Sequence, residues 1–292
     1  MKTTCLNLAK TILCLFCLGG LAAGQSSKSE DWPPLHAAVL NGDAAQVKSL
    51  LKRGADPNAK NHAGITPLML AVGDPVKLDL LLKHGANVNT VSAEGKSALL
   101  LAATQKRGLP SVRLLLRKGA QVNQSDQRGG SALLMAARNG DAETVRVLLA
   151  HGADAQAVWR EGSVPFENGT NALDLACFSR SAEAVQLLLA HGVPLEKAGR
   201  PLLFAAMNGS LDIARLLLAA GASVNVTDPA GYTPLMHAAM TEHGSLALVE
   251  LLLARGADPQ ATARDGNTAL SIAQRKGWQA AAELLQPKHA SE

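Results

Sequence analysis

Leu148-Leu149-Ala150-His151-Gly152-Ala153 is one of seven copies of a block that reads Leu-Leu-x-x-Gly-small, and its recurrence decides the fold. The other copies run Leu50 to Ala55, Leu81 to Ala86, Leu115 to Ala120, Leu188 to Val193, Leu217 to Ala222 and Leu252 to Ala257. Their glycines, at 54, 85, 119, 152, 192, 221 and 256, are separated by 31, 34, 33, 40, 29 and 35 residues. A period of this size marks small supersecondary units that bury apolar surface only by stacking on one another. The expected fold is an all-α solenoid of helix-turn-helix units, seven and a C-terminal eighth, over residues 32–286.

The unit from Ser131 to Gln156 shows how the block is used. Leu133, Ala136 and Ala137 fall on one helical face, and Ser131 precedes them as a cap that accepts from an unpaired backbone N–H. Asn139-Gly140 ends this helix, because glycine tolerates the left-handed conformation of a C-cap. A second helix is expected from about Asp141 to His151, with Val145, Leu148 and Leu149 facing inward and Gly152 closing it. The small pair Ala136-Ala137 lets a neighbouring helix approach closely.

The same logic recurs along the chain. Thr66, Ser97, Asn171, Thr233 and Thr268 stand where Ser131 stands, and Pro34, Pro67, Pro201 and Pro234 occupy the position after the cap site, where a missing N–H costs nothing. Lys52, Arg53, His84, Arg117, Lys118, His151, His191 and Arg255 crowd the last turns of the second helices, where positive charge complements the helix dipole. Between units, stretches such as Val88 to Lys96 and Val224 to Tyr232 carry the Asn, Asp, Ser and Gly of projecting turns.

Thr233-Pro234-Leu235-Met236-His237-Ala238-Ala239, Gly256-Ala257-Asp258-Pro259, Pro34-Leu35-His36-Ala37-Ala38 and Gly54-Ala55-Asp56-Pro57-Asn58 resemble the signatures of the ankyrin-repeat family. The resemblance covers residues 32–286 and implies a solenoid with projecting β-turn fingers that meets a protein partner through its finger tips and first-helix ends. The family's motif histidine is kept only as His36; Met69, Leu100, Leu134, Asp174, Leu203, Met236 and Ser271 replace it, which thins the hydrogen-bond network that the resemblance implies.

The period breaks in units four to seven. The turn between Gln156 and Asn171 is long and carries Trp159 through Glu167; the turn Glu196 to Arg200 is short; the loop Met240 to Ser245, with Glu242 and His243, is long. Insertions in repeat arrays map to loops that often form the binding face. Trp159, Phe166 and Tyr232 occupy finger positions, Phe178 ends a first helix, and Met207 and Met240 hold the corresponding places in the next two units. Aromatics at such sites are typical interface anchors. The candidate partner-binding residues are therefore Trp159, Arg160, Phe166, Glu167, Phe178, Met207, Tyr232 and Met240. The alternative is that Trp159 and Phe166 fold onto the stack and pin the long turn. Trp32 and Trp278 are expected to cover the two ends of the array.

No catalytic arrangement is expected. Cys177 fills the second place of a buried small pair, where a thiol is inert. His151 and His191 share one repeat position in adjacent units, about 8–10 Å apart at helix-packing distance, too far for two ligands at about 2 Å from one zinc. No Gly-rich phosphate loop, Ser-His-Asp set or carboxylate pair stands out, and no cofactor is expected.

The net charge of +4, from 28 basic and 24 acidic residues, is too mild to suggest nucleic acid or a membrane surface as partner. Residues 1–24 have the layout of a secretory signal peptide: Lys2 and Lys10, an apolar run Thr11 to Ala23 too short to span a bilayer, and Ala22-Ala23-Gly24 before cleavage at Gln25. A short linker, 25–31, and a polar tail, 287–292, flank the array. Beyond the leader Cys177 is alone, so an intramolecular disulfide is not available. The sequons at Asn123, Asn168, Asn208 and Asn225 are explained by turn chemistry at three of the four, and a glycan at Asn208 would block the concave face. The expectation is an exported bacterial protein, periplasmic and monomeric, that binds a protein partner without catalysis. The resemblance implies support of an oxidative-stress enzyme such as a catalase. An immunity protein against a periplasm-directed toxin is the alternative, and an enzyme with an unrecognised site is an alternative of another class.

Overall fold

The computed structural model describes residues 32–160, 169–195, 200–241 and 245–286. The leader, the linker, the tail, Phe166, Glu167, Glu242 and His243 lie outside them. The chain divides into two compact units, Met1–Gln127 and Arg128–Glu292.

In the first unit three helix pairs follow one another: α1 Pro34–Asn41 with α2 Ala44–Lys52, α3 Pro67–Leu70 with α4 Pro75–Lys83, and α5 Ala98–Ala103 with α6 Leu109–Arg117. A single 3-10 turn, Ala71–Gly73, prolongs α3. The second unit carries five pairs: α7 Ala132–Arg138 with α8 Ala142–Ala150, α9 Ala172–Phe178 with α10 Ala182–Ala190, α11 Arg200–Met207 with α12 Leu211–Ala219, α13 Pro234–Met240 with α14 Leu246–Ala254, and α15 Ala269–Arg275 with α16 Gln279–Leu285.

All six expected caps act as such: Thr66, Ser97, Ser131, Asn171, Thr233 and Thr268 each accept the N–H three residues on. The second helix expected from Asp141 to His151 has those two residues as its flanking caps, Asp141 taking the Thr144 N–H. Gly152, at φ 79°, turns the chain out of it. The first leucine of the repeated block is sealed from solvent in α4, α6, α8, α10, α12 and α14, where Leu81, Leu115, Leu148, Leu188, Leu217 and Leu252 all lie. Leu50, in the first described pair, is only half-buried. The small pairs Ala102-Ala103, Ala136-Ala137, Ala176-Cys177, Ala205-Ala206 and Ala238-Ala239 are also buried. First helices of successive pairs pack directly on each other: α3 on α5 in the first unit, and α7 on α9, α9 on α11, α11 on α13, and α13 on α15 in the second.

Stacking is reinforced by polar rungs. Asn58 donates to the Gly85 carbonyl (2.9 Å) and accepts the Asn87 N–H (2.7 Å); Asn89 does the same to Gly119 and Gln121, and Asn225 to Gly256 and Asp258. Finger tips add backbone bonds, Ala93 N–H to Ala63 and Gln127 N–H to Glu94 in the first unit, Arg160 N–H to Arg128 and Arg264 N–H to Ala230 in the second. This close approach is why Gly64, at φ +71°, is glycine: a Cβ there would sit 2.9 Å from the Ala93 nitrogen. His36 is sealed in the first unit, and its Nε2–H donates to the Ile65 carbonyl at 3.0 Å.

After the fourth pair the pattern changes. Gln156 stands where Asn89 and Asn225 make rungs, and the backbone instead forms a two-residue antiparallel ladder, β1 Val158–Trp159 with β2 Thr170–Asn171. In the sixth pair Arg200 occupies the place of the capping Thr or Ser; it is buried, and its Nη1 donates to the Gly169 carbonyl at 2.7 Å.

Candidate functional site

The last residue of each first helix in the second unit occupies one register position, seven places after the cap. Reading pair by pair, that position holds Arg138, Phe178, Met207, Met240 and Arg275. In the first four of these pairs the residue just before it is sealed, Ala137, Cys177, Ala206 and Ala239, and at this position the chain emerges. Phe178, Met207 and Met240 are 54%, 45% and 38% exposed, a row of apolar side chains where burial has nothing left to offer. An exposed apolar cluster rimmed by polar groups is the usual mark of an interaction surface.

The row has a firm base. The Phe178 ring meets the buried Phe204 ring edge-on, with centroids 6.0 Å apart, an arrangement that contributes beyond area burial. Ser179 donates from its hydroxyl to the Ala137 carbonyl (2.8 Å), Ser181 to the Gly140 carbonyl (3.0 Å), and the Asn208 amide lies 3.4 Å from the carbonyl oxygens of Cys177 and Phe178. The loop after α9 is thereby bonded to the loop after α7, and the loop after α11 to the end of α9. Binding on such a surface orders little that is not already ordered.

The finger residues fare differently. Trp159 is half-buried, as in the alternative in which it folds onto the stack. Pairing of β1 with β2 turns it onto the stack, and the Arg138 guanidinium lies over its ring at 5.4 Å from the centroid. Its indole N–H is buried and has no acceptor among the described residues. Trp159 thus pins the start of the long turn, while Arg160 beside it is exposed. Phe166 and Glu167 lie outside the described residues.

Tyr232 is also half-buried, for a different reason. Its hydroxyl donates to the Asp265 carboxylate and accepts from the Asn267 amide (3.1 Å), whose oxygen accepts from Arg275 (2.9 Å). Its ring stacks near His237, which in turn bonds Asp228 at 2.9 Å. The Tyr232–Asp265 hydrogen bond raises the phenol pKa and lowers that of the carboxyl. Tyr232 holds one finger to the next rather than standing free.

The groups with chemical potential are otherwise engaged. Cys177 is sealed, and burial together with the charge of Asp174 pushes its thiol pKa well up, the opposite of what a nucleophile needs. His84, His151 and His191 each bond through Nδ1 to a carbonyl one turn back, at 2.8 Å, in the helix-end role expected for them. No group of three or more His, Cys, Asp or Glu side chains suited to a metal ion occurs among the described residues, and no helix among them is long and apolar enough to cross a membrane. Trp32 lies against His36 at the first pair, and Trp278 stands at the start of α16.

Sequence reasoning named the apolar row but missed its basic neighbours Arg138, Arg180 and Arg275. Register would have found two, since Arg138 and Arg275 share the position of Phe178. Arg180 is the one non-glycine residue among those described with a positive φ, 60°.

Comparison with known proteins agrees with this architecture. A family model described as "Ankyrin repeats" matches three times, over residues 35–126, 100–198 and 202–291. Among solved structures the chain is similar to the human ASB11 ankyrin repeat domain, at 25% identity and a TM-score of 0.64, covering 78% of this chain and 100% of that one. No curated protein matches.

Proposed function

This chain belongs to the ankyrin-repeat family, and from that premise we propose that it is a binding module that holds a protein partner on the helix-end face of its second unit. Folds of this family characteristically serve as scaffolds for protein partners. The observation that carries the proposal is the exposed row Phe178, Met207 and Met240, whose first two members sit on loops tied to the pair before them. Trp159 backs the Arg138 end of the row, with the Arg138 guanidinium over its ring.

The narrower reading is an exported protein working in the bacterial periplasm, with an oxidative-stress enzyme as partner. The basic, then apolar, then small-residue layout of residues 1–24 supports export. The tight-packed Cys177 and dipole-bound histidines support a non-catalytic role.

The test is affinity capture from native extract with three versions of the full chain: wild type, Phe178→Ser with Met207→Ser and Met240→Ser, and Arg146→Ala on the outer helices. The row variant is expected to lose the partner while Arg146→Ala keeps it. Retention by the row variant rejects this face.

A further inference from the structure

The row is apolar in its middle and basic at its ends. Arg138 precedes Phe178 and Arg275 follows Met240 in the same register, and both are exposed. Lys276 follows Arg275 and is exposed too. Each terminal arginine is held in place, Arg138 against the Trp159 ring and Arg275 by the Asn267 side chain. Held cations lose less freedom on pairing than free ones.

Arg180 adds an independent observation. In three other pairs of the second unit the inter-helix loop has glycine at this place, Gly140, Gly209 and Gly277, with φ of 67°, 63° and 68°. Arg180 adopts the same left-handed conformation at φ 60°. For a residue with a side chain that geometry is unfavourable, and such outliers persist where the surroundings or the function demand them. Here the result is an exposed guanidinium two residues from Phe178, with no side-chain hydrogen bond among the described residues.

Two carboxylates stand near these charges, and both are engaged: Asp265 accepts from the Tyr232 hydroxyl and from the Asn267 amide, whose oxygen in turn accepts from Arg275. Asp141 is used up as the α8 cap, its carboxylate accepting both the Thr144 N–H (3.0 Å) and hydroxyl (2.6 Å). Glu242 lies outside the described residues.

Resting on the reading above, we propose that the partner segment seated on this face is an apolar peptide stretch bearing Asp or Glu side chains toward its ends, the carboxylates meeting Arg138, Arg180 and Arg275. First helices pack about 8–10 Å apart, so the five positions span roughly 30–40 Å. An extended segment of about ten to twelve residues covers that distance at about 3.3 Å per residue. The charge pairs select and steer, while the apolar row supplies the burial.

A random twelve-residue peptide library displayed on phage, selected on the immobilised full chain, tests this. Recovered peptides are expected to combine aliphatic or aromatic residues with Asp and Glu, and to weaken as salt rises. The strongest binder, synthesised with a fluorophore, is expected to lose about threefold to fivefold in affinity on Arg180→Gly, a change the backbone accommodates as Gly209 does. Arg180→Lys restores most of that loss. Binders that are neutral or basic, or that ignore Arg180→Gly and joint Arg138→Gln and Arg275→Gln, overturn the acidic chemistry. If those binders are still lost in the Phe178, Met207 and Met240 variant, the face itself stands. Failure of that row variant to reduce binding, or recovery of no peptide, overturns both.

Discussion

Arg180 holds at φ 60° the conformation that Gly209 holds at φ 63° in the next pair. A side chain in left-handed backbone costs about 1–2 kcal/mol, and glycine's extra freedom in the unfolded chain returns about 0.4–1 kcal/mol of that. Arg180→Gly is therefore expected to stabilise the fold, by about 0.5–1 kcal/mol in urea unfolding. A destabilised variant would mean that the arginine side chain holds its own loop and is not kept for contact with something else.

Asn89 joins two fingers through one donated and one accepted hydrogen bond. Each such bond contributes about 0.5–1.5 kcal/mol net. Asn89→Ala is expected to lower stability by about 1–2 kcal/mol. Gln156 makes no equivalent rung, so Gln156→Ala is expected to change little. Equal losses at both positions would remove the rungs from the account.

His36 makes stability depend on pH. Its burial lowers the imidazole pKa below the ordinary 6.5, outweighing the opposing carbonyls of Ile65 and Ala59. Between that lowered value and 6.5 the unfolded chain binds the proton and the folded chain resists it. The stability contributed by neutral His36 is complete above about pH 6.5 and is lost as pH falls through and below it. The urea midpoint is expected to drop more between pH 7.5 and 5.5 for wild type than for His36→Gln. Parallel drops would exclude His36 as the source.

Cys177 sits sealed beneath the row. An aromatic disulfide reagent at pH 8 is expected to leave it unmodified in the native protein and to titrate it fully in guanidinium chloride. Rapid native labelling would show that the helix-end layer opens, contrary to a preformed surface. Leu148→Ala, which empties a fully buried site, is expected to cost about 2–5 kcal/mol, measured by the same unfolding.

How much of this was legible in the sequence depends on the reach of each interaction. The caps Ser131 and Thr233 act within three residues of themselves, so spacing alone reveals them. Phe178, Met207 and Met240 could be placed because register along a short capped helix fixes which residue emerges at its end. The position of Arg180 was readable by aligning it with Gly140 and Gly209, but its backbone angle was not. The contacts of Trp159 and Tyr232 were not legible because they are made with partners distant in sequence: β2 across the long turn for one, Asp265 and Asn267 in the following finger for the other. Arg200 reaches Gly169, 31 residues away, and nothing local announces it.

The central claim is that a partner protein sits on the helix-end row. A photo-crosslinking amino acid placed at position 207 in the full chain, with position 146 on the outer helices as comparison, tests this most directly in cells that make the protein. The account predicts one or a few discrete protein adducts from 207 and none of them from 146. Adducts from 146 without any from 207 would contradict it.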